Sequence, residues 1–561
     1  MKKETLKKIE YLVAAVLTVT VLGVCVYQLH FGIDVQDTAS YLTKFRYFFE
    51  KGTGGNSLHY FLGEFLGSLI YQISPTLYSL NVAGLIVWAL TGVLIYRIMR
   101  PYLGVLPLIA VVLGGLGFSV SWVRCVNWNA WGALFLTIGI LFLLNGLETG
   151  KKKWFFASGL ILGVNAFIRI PNVFSLAVLS LTIPVYYIGK GFWNNMWKYF
   201  GMMFLGGLTA GVAGVFCAIL GLGLKKFMAD FLWYFGTTGN AESRHNIFTM
   251  LAQIPIGIAD GARQWIKYGV IIGAVIVLCL VAKKIWKKDV TLVGAVLAGA
   301  AALYIGFTRD VQYTSMPTLI SVQNFIAYGG MVFGAFGAAW FYKSDRRFAA
   351  ICLMEALAMI SMTIGTDTGS IFFRVYMAMP AAVIAAVLWK LPLKELRIMA
   401  VFIVVLTLAT GQNCNQNFVY HDGEHGEAID STINSEVFEG VYTTASRAEY
   451  VNRLIELLEP YETYELLTIG AFNIGHNITN MKTFFDSAWS DLDYLSMEEF
   501  NRVLDEKLSA GNVPVIVIAT EKINGAYWVP EKIEILEELV QGDLFECIHS
   551  DEWYSVYVPV S

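Results

Sequence analysis

The segment Gly32-Ile-Asp-Val-Gln-Asp-Thr38 sets two carboxylates three residues apart, Asp34 and Asp37, just past the first apolar run of the chain. If the segment is helical, positions i and i+3 share a face. Such a pair can act as a general base, orient a nucleophile or hold a divalent cation through oxygen ligands. The plainer alternative is a solvated loop start in which Asp37 or Thr38 caps a helix lying in the membrane interface. Arg169, within Asn165-Ala-Phe-Ile-Arg-Ile-Pro-Asn172, and Arg374 each lie in or beside an apolar run. A guanidinium matches phosphate through two parallel hydrogen bonds. The alternatives for both are snorkelling to the interface and an internal salt bridge.

Three weaker candidates fall in Gly-Asn-Ala-Glu-Ser-Arg-His-Asn: Glu242, Arg244 and His245 could belong to a loop that closes over substrate or to a solvated loop tip. Asp367, in Thr-Asp-Thr-Gly-Ser just before Arg374, could form a polar wall or a tight turn. Arg309-Asp310 reads as a local ion pair. Glu355 sits inside an apolar run, as a functional intramembrane acid or a hydrogen-bonded structural carboxyl. The seven cysteines are scattered singly, without metal-ligand spacing.

The elements that must position these residues are membrane spans. Of 561 residues, 56% are hydrophobic and 15% charged, which excludes disorder and an ordinary soluble globule. Residues 1–414 carry 33 Lys+Arg against 16 Asp+Glu, whereas 415–561 carry 7 against 27, so the chain divides near 414 into a bilayer domain and an acidic water-soluble domain. A span needs about 20 apolar residues, and such runs predict helices near 11–29, 76–96, 103–123, 129–147, 154–168, 173–188, 200–222, 266–282, 290–306, 322–342, 348–364, 371–389 and 398–413. Residues 154–188 read either as two short spans or as a re-entrant segment broken at Arg169. Lys/Arg clusters between the runs place the N-terminus in the cytoplasm, and about 13 crossings place the C-terminal domain outside. Two long outer loops remain, 30–75 and 223–265, whose aromatic density predicts interfacial helices.

In the tail, helices near 447–459, 497–509 and 531–541 alternate with strands near 465–470, 513–519, 544–549 and 552–559, predicting a small α/β domain. No phosphate-binding glycine motif is present, and the acidic surface argues against nucleic acid as a partner.

This layout resembles the GT-C superfamily of membrane glycosyltransferases: an acidic loop after span one, a long aromatic first outer loop, the Asn165–Asn172 break between later spans, and an outer α/β tail. The resemblance implies a polytopic plasma-membrane (inner-membrane) enzyme that takes a hexosyl or pentosyl group from a polyprenyl-phosphate-linked donor. It implies inverting transfer to a surface glycan or similar acceptor. Carried onto this chain, the family's essential acid falls on Asp34 or Asp37, which could also hold a divalent cation, Mg or Mn; no cofactor is certain. The WWDYG signature of oligosaccharyltransferase-like members is not matched by Ser487-Ala-Trp-Ser-Asp-Leu-Asp-Tyr494, which argues against protein N-glycosylation. The competing classes are a transporter or flippase for a lipid-linked glycan or polyanion and a non-catalytic envelope-assembly protein; no convincing internal repeat supports the transporter.

Overall fold

The computed structural model describes residues 2–50, 55–189, 192–239, 247–308, 316–364, 374–422, 427–487, 489–492, 495–524 and 529–560. Helix α1 (Lys2–Gln28) leads into two shorter helices, α2 (Asp37–Tyr47) and α3 (Phe61–Ile73). There follow α4 (Leu77–Met99), α5 (Val105–Val120), α6 (Trp128–Thr149), α7 (Lys152–Ile168), α8 (Val173–Ser180), α9 (Thr182–Tyr187), α10 (Phe192–Leu222) and α11 (Leu224–Gly239). The helical part closes with α12 (Ile247–Trp286), α13 (Thr291–Thr308), α14 (Met316–Phe341), α15 (Arg346–Thr363), α16 (Ala378–Lys390) and α17 (Leu396–Asn417).

Among the described residues, nine helical segments are long and apolar enough to cross a bilayer; Val105–Val120 and Ala378–Lys390 are shorter apolar helices. Large apolar side chains such as Phe216, Leu220, Leu278 and Leu292 stay exposed on α10, α12 and α13, as lipid-facing surfaces require. Between α7 and the apolar segment Ile170–Tyr187 the chain breaks at Arg169, whose backbone is extended, and Pro171 enters a 3₁₀ turn. Within residues 223–265, α11 occupies the first part, and α12 starts at Ile247 and runs 40 residues through Pro255 into the expected span. Ile254 and Ile258, one turn apart, continue the apolar face that packs on the core, so nothing ends the helix before the expected span.

Small residues decide how two of these helices cross. Added Cβ atoms on Gly114 and Gly117 of α5 would overlap the backbone of α17 at Thr407 and Gly411, and one on Gly411 would strike the Gly114 carbonyl. In lipid, helix association depends on such close approach. Its consequence is local: the ends of α5 and α17 are drawn together, so the segments that follow them, 121–124 and 418–422, meet with Trp122 and Tyr420 rings 4.4 Å apart.

The C-terminal domain carries a small antiparallel pair, β1 (Ile429–Ser431) with β2 (Thr443–Thr444), and a four-stranded sheet. Helix α18 (Ala445–Leu458) precedes β3 (Leu466–Ile469), and a short α19 (Gly475–Ile478) and α20 (Met497–Ser509) precede β4 (Val515–Ala519). Then come α21 (Glu521–Asn524), α22 (Pro530–Leu539), β5 (Phe545–Ser550) and β6 (Tyr554–Pro559), giving sheet order β3-β4-β6-β5 with β3 and β4 parallel. Strands β3 and β4 are buried along their whole length, which explains why they read as continuous apolar runs. Leu467, Ile469, Ile516 and Ile518 pack with Phe500, Leu504, Ile533 and Leu536 of α20 and α22, while Leu466, Val515 and Val517 face the larger core with Val451 and Leu454 of α18.

Candidate active site

The acidic segment is positioned by its own backbone first. Asp34 lies ahead of α2, and its Oδ1 accepts from the Gln36 N–H at 2.9 Å and its Oδ2 from the Thr38 N–H at 2.8 Å. The N-cap position of α2 is Gln36, which makes no side-chain cap bond; Asp34, two residues ahead, holds the helix start through the Thr38 N–H in place of the expected Asp37 or Thr38, and the two acids do not share a helical face because α2 begins at Asp37. Asp37 is placed differently. Its Oδ2 accepts from the Tyr420 hydroxyl at 2.6 Å, and the residue is only partly buried.

Both carboxyls are pushed up to about 6, burial being the largest cause for each. For Asp34 the two backbone N–H donors and Arg447 oppose that rise; for Asp37 the charge of Asp34 adds to it, and Tyr420, His421 and Lys44 oppose it. A carboxyl poised there is suited to accept a proton near neutral pH. Burial also pushes the His421 imidazole down to about 4, so it is neutral at pH 7.

Around the pair stand cations and aromatic rings from distant parts of the chain. Lys44, two turns beyond Asp37 on α2, pairs with buried Glu64 of α3 at 3.0 Å. Its ammonium lies 5.1 Å from the Tyr60 ring and 5.8 Å from that of Trp128, which stack on each other at 4.0 Å. On the other flank, the Arg374 guanidinium lies 4.4 Å from the Trp122 ring centre and 5.4 Å from that of Phe418. Its Nε donates to Gln323 at 2.9 Å, while Nη1 and Nη2, fully buried, have no hydrogen-bond partner among the described residues. Two unsatisfied guanidinium nitrogens in a buried setting are costly unless an anion completes them. A narrow cleft opens beside Asp34, lined by Asp34, Thr38, Trp122, Arg124 and Tyr420.

Arg169 lies apart from that cleft. The Ile168 carbonyl abuts Gly63 of α3 beside Trp128, and Arg169 is within electrostatic reach of Tyr234 on α11. The structure thus brings Asp34, Asp37 and Arg374 around Tyr420 and Trp122, with Arg169 beyond Trp128. Glu242, Arg244, His245 and Asp367 lie outside the described residues, as does Arg309-Asp310. Glu355 is fully buried in α15 with neither carboxyl oxygen hydrogen-bonded among the described residues.

Tyr420, Lys44, Trp122 and Arg447 were not singled out in the sequence. A signal existed for Lys44, seven residues after Asp37 and so on its helix face; none existed for Tyr420, whose role depends on the crossing of α5 and α17. As for a divalent cation, both oxygens of Asp34 are engaged by backbone donors, and no cluster of three or more His, Cys, Asp or Glu gathers among the described residues. The described residues therefore do not by themselves make an oxygen-rich cation site.

Fold and site together define a polytopic helical membrane protein with a C-terminal α/β domain seated over a buried acidic loop. No protein-family model and no curated protein matches the sequence. Among solved structures, the chain is similar to ArnT from Cupriavidus metallidurans in the apo state, with 12% identity over 97% of both chains and a TM-score of 0.45. It is also similar to the Archaeoglobus fulgidus oligosaccharyltransferase in complex with Zn and sulfate, with 13% identity over 94% of this chain and 70% of that one and a TM-score of 0.46. The same archaeal protein tethered to an acceptor peptide containing the NVT sequon gives 12% identity, 90% and 69% coverage and a TM-score of 0.45.

Proposed function

We propose that this chain is a GT-C-type membrane glycosyltransferase that takes a sugar from a polyprenyl-phosphate-linked donor and passes it to a glycan or similar acceptor at the outer face of the plasma membrane. The observation that carries this reading is that Tyr420 and Trp122 link Asp37, a carboxylate with a raised pKa and one oxygen tied to Tyr420, to Arg374, a guanidinium stacked on Trp122 whose outer nitrogens have no hydrogen-bond partner among the described residues. The lipid-facing helices suit a donor whose tail stays in the bilayer while its phosphate and sugar reach the cleft. The Lys/Arg clusters between spans support a cytoplasmic N-terminus and an outer C-terminal domain.

In this reading Asp37 accepts the proton of an acceptor hydroxyl as that oxygen bonds to the anomeric carbon. The bond from that carbon to the phosphate oxygen breaks, its electron pair leaves with polyprenyl phosphate, and the sugar inverts. Arg374 meets the charge growing on the phosphate, and Arg169 serves the same end from the other flank. Asp34 holds the start of α2 and raises the basicity of Asp37 through its charge.

The test uses purified full-length protein in nanodiscs and a panel of polyprenyl-phosphate sugars, scoring transfer or hydrolysis for the wild type, Asp37→Asn, Asp34→Asn and Arg374→Met. Turnover lost in Asp37→Asn while the protein stays folded supports the reading. If no donor is bound or consumed, or if Asp37→Asn turns over like the wild type, the assignment is overturned, and movement of the intact lipid-linked sugar across the bilayer would identify a flippase instead.

A further inference from the structure

The backbone of the acidic loop is not satisfied by the loop itself. Residues 31–36 make neither helix nor extended sheet pairing, so most of their polar groups, the Gln36 N–H on Asp34 apart, must find a partner elsewhere. The partners come overwhelmingly from the last quarter of the chain. The Gly32 N–H donates to the Tyr442 carbonyl at 2.8 Å, and the Ile33 N–H donates to Asp422 Oδ2 at 2.6 Å. The Ile33 carbonyl accepts from Arg447 Nη1 at 2.6 Å, and the same guanidinium pairs with Asp422 at 3.3 Å. Beyond Asp34 the loop after β3 takes over. The Asn473 N–H donates to the Val35 carbonyl at 2.9 Å, Asn473 Nδ2 to the Gln36 carbonyl at 3.1 Å, and Asn477 Nδ2 to the Ala39 carbonyl at 2.9 Å.

The position of Asn473 and Asn477 in the fold is telling. They follow the C-terminal end of β3, which runs parallel to β4, and that end of a parallel sheet is where α/β domains usually present a crevice to a ligand. Here Gly470 and Ala471, both with positive φ, turn the chain sharply so that the side chains after the strand reach into the membrane domain's loop. Their donors meet the carbonyls of Val35 and Gln36, between the two acids, and of Ala39, two residues past Asp37, and neither side chain is hydrogen-bonded to either carboxylate among the described residues.

We infer that Asn473 and Asn477 are positioning residues, and that the C-terminal domain acts in the reaction by fixing the backbone of residues 33–39 so that Asp37 is aimed at the acceptor. The loop after β3 thereby gives up the usual ligand crevice of such a sheet to docking. The kinetic part of this inference rests on the glycosyl-transfer reading; the structural part does not.

The experiment is hydrogen exchange and kinetics on the full chain in nanodiscs, comparing the wild type, Asn473→Ala, Asn473→Asp, Asn477→Ala and Asp37→Asn. Loss of one side-chain bond should raise exchange across residues 33–42 by about fivefold in the Asn473 and Asn477 variants, while amides of β4 keep wild-type protection. Asp37→Asn should leave exchange in 33–42 unchanged. In turnover, kcat should fall by roughly ten- to a hundredfold in the asparagine variants with donor KM unchanged, because the donor's contacts lie in the helical domain. Unchanged exchange in 33–42 for both Asn473→Ala and Asn477→Ala overturns the positioning role, whatever the chemistry. Raised exchange in a chain whose wild type shows no turnover leaves the positioning intact and removes the glycosyl-transfer reading. Equal turnover in all the asparagine variants and the wild type, despite raised exchange, overturns the catalytic part alone.

Discussion

The Tyr420 hydroxyl and Asp37 Oδ2 lie 2.6 Å apart although 383 residues separate them in sequence. One oxygen of Asp37 is thereby fixed in direction, whereas Asp34 spends both of its oxygens on backbone N–H groups at the start of α2. The two acids of one short motif thus have different tasks.

That difference sets the first prediction. Asp37→Asn removes the proton acceptor and should lower kcat by roughly 10²–10⁴-fold with little loss of stability. Asp34→Asn keeps a side-chain oxygen for the cap and should stay within about tenfold of wild type, while Asp34→Ala, which loses the cap, should cost about 1 kcal/mol of stability. Single-turnover kinetics and thermal unfolding in detergent separate these effects.

The second prediction concerns pH. In the proposed reaction Asp37 works ionised, and its pKa is raised to about 6 by burial first and by Asp34 next, so activity should fall as pH drops through about 6 rather than near the usual carboxylate range. Removing the neighbouring charge with Asp34→Asn should move the acid limb to lower pH. Tyr420→Phe removes a hydrogen bond that favours the ionised form and should move the limb up by roughly one pH unit, since bonds to charged groups contribute about 1.5–3 kcal/mol. A pH profile of kcat/KM for the three proteins reads both directions, and a limb that stays in place in both variants would contradict the assignment.

Arg374 supplies a third. Its two outer nitrogens are buried and unpartnered among the described residues, so an apolar replacement removes a cost in the free protein while deleting the proposed contact to phosphate. Arg374→Met should therefore keep or raise the melting temperature yet weaken donor binding by roughly tenfold to a hundredfold. Binding of a fluorescent polyprenyl phosphate and a melting curve on the same preparation report the two quantities separately.

The crossing of α5 and α17 supplies a fourth. Gly411 packs against Gly114 with no room for a Cβ, and that contact brings Trp122 and Tyr420 together. Gly411→Leu should push the helices apart, lower stability by about 1–3 kcal/mol and, through Tyr420, shift the acid limb of activity upward as Tyr420→Phe does. Gly211, on α10 with nothing near its Cβ, is the control: Gly211→Ala should leave both unchanged.

Much was already written in the sequence. Apolar runs of span length set the helices, because a backbone in lipid must satisfy its own hydrogen bonds locally, and most predicted spans coincide with helices such as α4, α6 and α17. The tail's elements were legible for a similar reason: α20 matches its predicted bounds, since its apolar face repeats at helical spacing, and β4 reads as a continuous apolar run because both of its faces are covered. The acidic motif stood out because charged residues are scarce in such a chain. What the sequence could not contain is the division of labour within that motif. Whether Asp34 or Asp37 keeps a usable oxygen depends on Tyr420 arriving from the end of α17, on Arg447 and Asn473 arriving from the α/β domain, and on two glycines letting helices touch. These contacts join residues hundreds of positions apart and carry no local periodicity, so only the tertiary structure, by burying the loop and choosing its partners, decides which carboxylate is bound by the start of α2 and which is held by Tyr420.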